Sequence, residues 1–129
     1  MINLYINQRR NADVTILDLK GKLRIGGNAV ALHRSIRSLI LEKKLLIVVN
    51  LAGVTFIDSC GLGELVASQI SAENKGGEIK LVGLTDALRE LLTLTKLLSV
   101  FNIYDNEADA IESIDSSLAE AKKNTLVFA

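Results

Sequence analysis

Proline and tryptophan are absent from the 129 residues, and cysteine and histidine occur once each. The lone Cys60 cannot close an internal disulfide, which suits a reducing cytoplasm and predicts a cytoplasmic protein. One cysteine and one histidine, His33, are too few for a zinc site, so no metal is expected. The few aromatics (Tyr5, Phe56, Phe101, Tyr104 and Phe128) are scattered and make no base-stacking platform. Fifteen basic residues balance fifteen acidic ones, which argues against a nucleic-acid partner. The longest uncharged stretch, Leu45 to Ile57, is interrupted by Asn50 and Thr55. It falls short of the ~20 residues of a membrane-spanning helix, so no membrane insertion is expected. Met1 to Arg10 lacks the basic start and apolar core of a secretory signal. No Gly-x-x-x-x-Gly-Lys loop is present, and the pairs Gly26-Gly27 and Gly76-Gly77 read as turns. Nucleotide hydrolysis is therefore unsupported and no cofactor is expected.

What is present is apolar: 49% of the residues, enough for a sizeable core. The length fits a single domain over residues 1–129, with 123–129 as a tail that frays or packs on a neighbouring molecule. Ile2, Leu4 and Ile6 alternate with polar residues and predict a strand with one wet face. Arg10 to Asp13 reads as a turn, Val14 to Leu19 as a second strand, and Gly21 to Asn28 as a loop ending in an N-cap asparagine. Ala29, Leu32, Ile36, Leu39 and Ile40 then share a helical face opposite His33, Arg34 and Arg37. Leu45 to Val49 is a continuous apolar run, as in a strand covered on both sides. A second helix follows Ser59, with Leu62, Leu65, Val66 and Ile70 inward, and ends near Gly76-Gly77. Ile79 to Val82 is a fourth strand, and Thr85 caps a third helix with Leu88, Leu91 and Leu92 inward. Phe101 to Tyr104 is a weak fifth strand, and 106–122 a last helix with Ala108, Ile111, Ile114 and Leu118 on one side. This order predicts an α/β fold: a mixed sheet of about five strands, with an N-terminal antiparallel hairpin and the remainder parallel, covered by four helices.

The most informative stretch is Phe56-Ile57-Asp58-Ser59-Cys60-Gly61-Leu62-Gly63, where a strand hands over to a helix. The first N–H groups of a helix lack internal partners and carry partial positive charge, so a hydroxyl caps well there and an anion is well placed. Gly61 and Gly63 remove side chains from the first turn and would let another molecule approach the backbone. Two readings are open on these grounds: a serine that carries a phosphate on an open face, or a plain N-cap.

Together with Val49-Asn50-Leu51, this stretch resembles the signature of the STAS domain family, in its anti-sigma-factor antagonist branch. The resemblance spans roughly residues 2 to 118 and agrees with the mixed-sheet fold. It implies a phosphorylation-switched binding protein with no catalytic residues of its own. Ser59 is then the phosphorylated residue, and the partner is an anti-sigma factor with serine kinase activity. The partner-binding residues implied are Asp58, Ser59, Cys60, Gly61, Leu62 and Gly63, with Arg24 beside them. The alternative within the family is an unmodified scaffold subunit of a signalling or membrane-transport complex.

One departure stands out. Where the family resembles Gly-x-Leu-Asp, this chain has Gly21-Lys22-Leu23-Arg24. Three readings of Arg24 are open: a solvent-facing loop residue, a partner for phosphate on Ser59, or a lost kinase contact that leaves Ser59 unmodified. Cys60, near a helix N-terminus, raises the idea of a thiol enzyme or redox sensor against that of a small residue in a tight turn. No base is evident for the thiol, because His33 falls on the outer helix face. From Asp105 to Glu120 the charges are all acidic, which reads as a solvated helix face or a docking surface for a basic patch. Sequence leaves the oligomeric state open.

Overall fold

Each apolar segment becomes a strand or the inner face of a helix. The computed structural model describes residues 4–114. In chain order these are β1 (Leu4–Asn11), β2 (Val14–Leu23), α1 (Gly27–Leu41), β3 (Leu46–Ile57), α2 (Ser59–Asn74), β4 (Glu78–Val82), α3 (Asp86–Leu94), a 3₁₀ turn (Leu98–Val100) and β5 (Asn102–Tyr104). A fourth helix, α4, starts at residue 107 and is described to 114. The strands lie in the order β1-β2-β3-β4-β5. β1 and β2 pair antiparallel, and β2 to β5 are parallel. The fold is the mixed sheet with four helices that the sequence implies.

Three successive crossovers in one direction place α1, α2 and α3 on one face of the sheet. Leu32, Ile36 and Leu39 of α1, Leu62 and Leu65 of α2, and Leu88 and Leu92 of α3 pack there on Leu17, Val49 and Leu81. Each such side chain contributes about 1.5–3 kcal/mol of burial. The other face is covered by α4, whose Ala110 and Ile114 pack on Val14, Ile16, Val48 and Val82. Thr85 caps α3 as expected, its Oγ1 accepting from Leu88 N–H at 3.2 Å.

The α4 face also carries a polar row. Asn7, Asp18 and Asn50 lie in register across β1, β2 and β3. Arg9 Nε donates to Asp18 Oδ2 at 2.7 Å, and Arg9 Nη2 to Asp18 Oδ1 at 3.2 Å. The same guanidinium donates to both oxygens of Glu107, at 3.2 Å to Oε2. Asn50 Nδ2 donates to Asp18 Oδ1 at 2.9 Å. The bond from Arg9 holds the Asp18 carboxyl below its usual value despite partial burial, with help from Asn50. One acid of the C-terminal run, Glu107, thus latches α4 to β1 and β2, while Asp105, Asp109 and Glu112 are exposed. Asp115, Leu118, Glu120 and the tail at 123–129 lie outside the described residues.

Several local expectations are corrected. β2 continues to Leu23 and β3 to Ile57, so the expected loop from Gly21 shrinks to residues 24–26. The extensions pair with each other, Leu23 opposite Ile57, through two irregularities of register that mask the alternation. Asn28 is not the cap of α1: the helix starts after Gly26, which takes φ 98°, and its cap has no side-chain bond. Asn28 is buried in the first turn, its Nδ2 donating to Lys22 O at 2.7 Å. In α2, Ile70 is half exposed and Gln69 is buried, because the inward stripe runs through residues 61, 62, 65, 68, 69 and 72. In α4, Ala108 is exposed and Ala110 takes the inward position.

Candidate functional site

The site forms where β2 and β3 end together. Asp58 leaves β3 in an extended conformation, φ −107° and ψ −177°, and caps α2. Its Oδ1 accepts from Gly61 N–H at 2.9 Å. Its Oδ2 accepts from Ile25 N–H at 2.8 Å, reaching across to the 24–26 connection. Its own N–H donates to Leu23 O at 3.2 Å. One aspartate therefore ties the end of β2, the connection to α1 and the start of α2. The bond from Gly61, then that from Ile25, lowers the Asp58 carboxyl below its usual value.

Because Asp58 serves as the cap, the next hydroxyl is released from that duty. Ser59 is the first residue of α2 and is exposed. Among the described residues its hydroxyl has no hydrogen-bond partner within the protein. Of the two readings of this junction, the plain serine N-cap is thus corrected to an aspartate cap. Cys60, also exposed, is a free thiol. His33 lies on the outer face of α1, its Nδ1 3.1 Å from Glu64 Oε1 on α2.

The other expected contact residues divide. A Cβ on Gly61 would lie 2.3 Å from Leu23 O and 2.8 Å from Leu23 Cγ, so this glycine serves the seating of α2 on β2. Leu62 is buried in the core. Gly61 and Leu62 therefore face inward in this structure. Gly63 is exposed and a Cβ there would meet nothing within 4 Å, so it leaves open surface. Arg24 is half-buried in the connection, with its carbonyl accepting from Ala29 N–H at 3.1 Å. The bonds at Leu23 and Ile25 bring its backbone beside Asp58, the residue before Ser59.

Sequence reading missed exposed apolar side chains on the segments that flank this junction. Ile25 is 71% exposed, Phe56 49% and Val30 47%. Ile25 and Val30 flank the start of α1, and Phe56 stands two residues before Asp58. Beside Phe56, a groove lined by Val54, Ile57, Ala87 and Leu91 runs between the end of β3 and α3. An isoleucine inside a glycine-rich connection was the available signal, since loops rarely gain from apolar side chains unless something covers them. Among the described residues no group of three His, Cys, Asp or Glu is placed to hold a metal. No helix of the described residues is long and apolar enough to cross a membrane.

The family model described as STAS domain matches residues 5–110. The anti-sigma F factor antagonist of Paenibacillus polymyxa is 26% identical over 114 residues, covering 88% of this chain and 97% of its own. A crystal structure of a candidate anti-sigma factor antagonist from Thermotoga maritima is 29% identical, with TM-score 0.76, covering 85% of this chain and 94% of that one. The fold also matches the Bacillus protein SpoIIAA, solved in phosphorylated form, at TM-score 0.67 and 18% identity over 85% of this chain and 99% of that one. The chain belongs to the STAS domain family.

Proposed function

We propose that this protein is an anti-sigma factor antagonist whose grip on its partner is switched by phosphorylation of Ser59. The partner is an anti-sigma factor that is also a serine kinase. Unmodified, Ser59 is exposed at the start of α2, and the neighbouring chain segments carry exposed apolar side chains, Ile25, Val30 and Phe56, that a partner can cover. The kinase moves the γ-phosphoryl of ATP onto Ser59 Oγ; the hydroxyl proton leaves to base or solvent, and ADP departs. The single observation that carries this reading is the exposed Ser59 hydroxyl, left without a partner among the described residues because Asp58 does the capping.

The switch acts through the interface and leaves the fold intact. A phosphate adds roughly −1.5 to −2 charges at pH 7. At a helix N-terminus that charge is worth about 0.3–1 kcal/mol in favour of the fold. In the complex the same charge must be desolvated against a largely apolar surface, which costs far more. A loss of about 2.7 kcal/mol weakens binding roughly a hundredfold.

The test is mass spectrometry of the protein from its native cells. A phosphate on the peptide that carries Ser59, with the bare form recovered in complex with a kinase-like anti-sigma factor, supports the proposal. A permanent complex with Ser59 unmodified in cells that hold the cognate kinase overturns it in favour of the scaffold role.

A further inference from the structure

We propose that Arg24 reads the phosphate on Ser59, pairing with it and stabilising the modified state. The inference rests on the reading above, that Ser59 is the modified residue. Arg24 sits between two residues whose backbone groups both bond Asp58: Leu23 through its carbonyl at 3.2 Å and Ile25 through its N–H at 2.8 Å. Its own carbonyl is bonded to Ala29 N–H at 3.1 Å. The backbone of Arg24 is therefore fixed on three sides, one residue away from the atoms that define the serine's position. An arginine side chain reaches several ångströms from such an anchor, and its fork matches phosphate oxygens in pairs.

The charge is also uncommitted. Arg9, Lys44 and Lys80 pair with acids, whereas Arg24 is one of several described cations that do not. Among the described residues Arg24 has no carboxylate within ion-pair distance, although both its chain neighbours bond Asp58 through their backbone. The Asp58 carboxylate instead spends both oxygens on backbone N–H groups. Glu64, the next acid along α2, faces His33 on α1. A cation without an acid among the described residues is thus anchored through its backbone next to Asp58, the residue that precedes a hydroxyl without a partner. Phosphate on Ser59 would complete both, and would offset the repulsion that Asp58 otherwise imposes on it.

The experiment installs phosphoserine at position 59 of the full chain by codon reassignment and follows it by ³¹P NMR titration. Free phosphoserine loses its second proton near pH ~6. With Arg24 in contact, that midpoint should lie lower than in Arg24→Gln by about one unit. Arg24→Lys should fall between, since it keeps the charge but loses the fork. Arg34→Gln, on the exposed face of α1, should leave the midpoint unchanged. Added salt should narrow the gap between wild type and Arg24→Gln. Coincident titrations of wild type and Arg24→Gln overturn the contact. An equal shift in Arg34→Gln overturns it too, by showing a general effect of net charge. Because the phosphate is encoded, the titration reads Arg24 whether or not cells modify Ser59. A failed titration leaves the switch standing, and an unmodified serine in cells removes the switch without touching the titration.

Discussion

Two aspartates organise two regions of this molecule, and they are held in different ways. Asp58, at the junction of β3 and α2, is bonded by backbone N–H groups of Gly61 and Ile25. Asp18, on the α4 face, is bonded by the side chains of Arg9 and Asn50. Both carboxyls are lowered from their usual value, the first by backbone donors and the second chiefly by a guanidinium. The difference teaches where the molecule keeps its chemistry free. A junction built from backbone leaves neighbouring side chains, Ser59 and Arg24, without hydrogen-bond or ion-pair partners among the described residues. A region built from side chains consumes them: Arg9, Asp18, Asn50 and Glu107 are all engaged in holding α4 to the sheet.

If the junction is backbone-built, adding atoms should harm it more than deleting side chains harms the other region. Gly61→Ala should have the largest effect on stability. Its new Cβ would meet Leu23 O at 2.3 Å, and a carbonyl in a strand cannot rotate away. A loss of about 1–3 kcal/mol is expected in urea denaturation. A Gly61→Ala protein as stable as wild type would break the comparison at its strongest point.

The side-chain region should respond less and differently. A double-mutant cycle of Arg9→Met and Asp18→Asn should give a coupling of about 0.5–1 kcal/mol, because Arg9 is 41% exposed on its side chain and solvent screens the pair. That coupling should shrink in high salt, whereas the Gly61→Ala effect should not. Gly63→Ala sharpens the contrast within the junction itself. It meets open space and should raise stability by roughly 0.5 kcal/mol through helix propensity. Destabilisation by Gly63→Ala would place that residue inside the fold's own packing.

The smallest effect is on pH. A carboxyl whose folded value is depressed stabilises the fold above its unfolded value, near pH ~3.9, and loses that contribution as pH falls through the lower folded value. Thermal melts between neutral pH and strong acid should therefore show wild type losing its advantage over Asp58→Asn only in the acid range. In the same range the Ile25 and Gly61 amides of wild type should begin to exchange faster with solvent. A constant difference down to strong acid would mean that Asp58 ionisation does not hold the junction.

The sequence made the order of elements and the junction legible for a physical reason. Apolar runs at 14–19, 45–49 and 79–82 are what a sheet covered on both faces requires, and Asp58-Ser59 sits where one such strand must stop. The missed parts are those where polar residues do structural work. Asp18 and Asn50 interrupt the apolar pattern in β2 and β3 but satisfy each other across the sheet, so both strands ran longer than their periodicity implied. Gln69 is buried and Ile70 half exposed in α2, an exchange that no hydrophobic pattern reports. Gly61 illustrates a different limit. A glycine needed for a partner's approach and one needed for internal contact are the same letter, and only the position of Leu23 O separates them.

The central claim is that one exposed hydroxyl controls a docking surface without supporting the fold. Calorimetric titration of the bare and Ser59-phosphorylated forms against the same purified anti-sigma factor tests it most directly. The account predicts affinities that differ by about a hundredfold, with the bare form tighter, and melting temperatures that nearly coincide. Equal affinities for the two forms, or a phosphorylated form that unfolds, would contradict it.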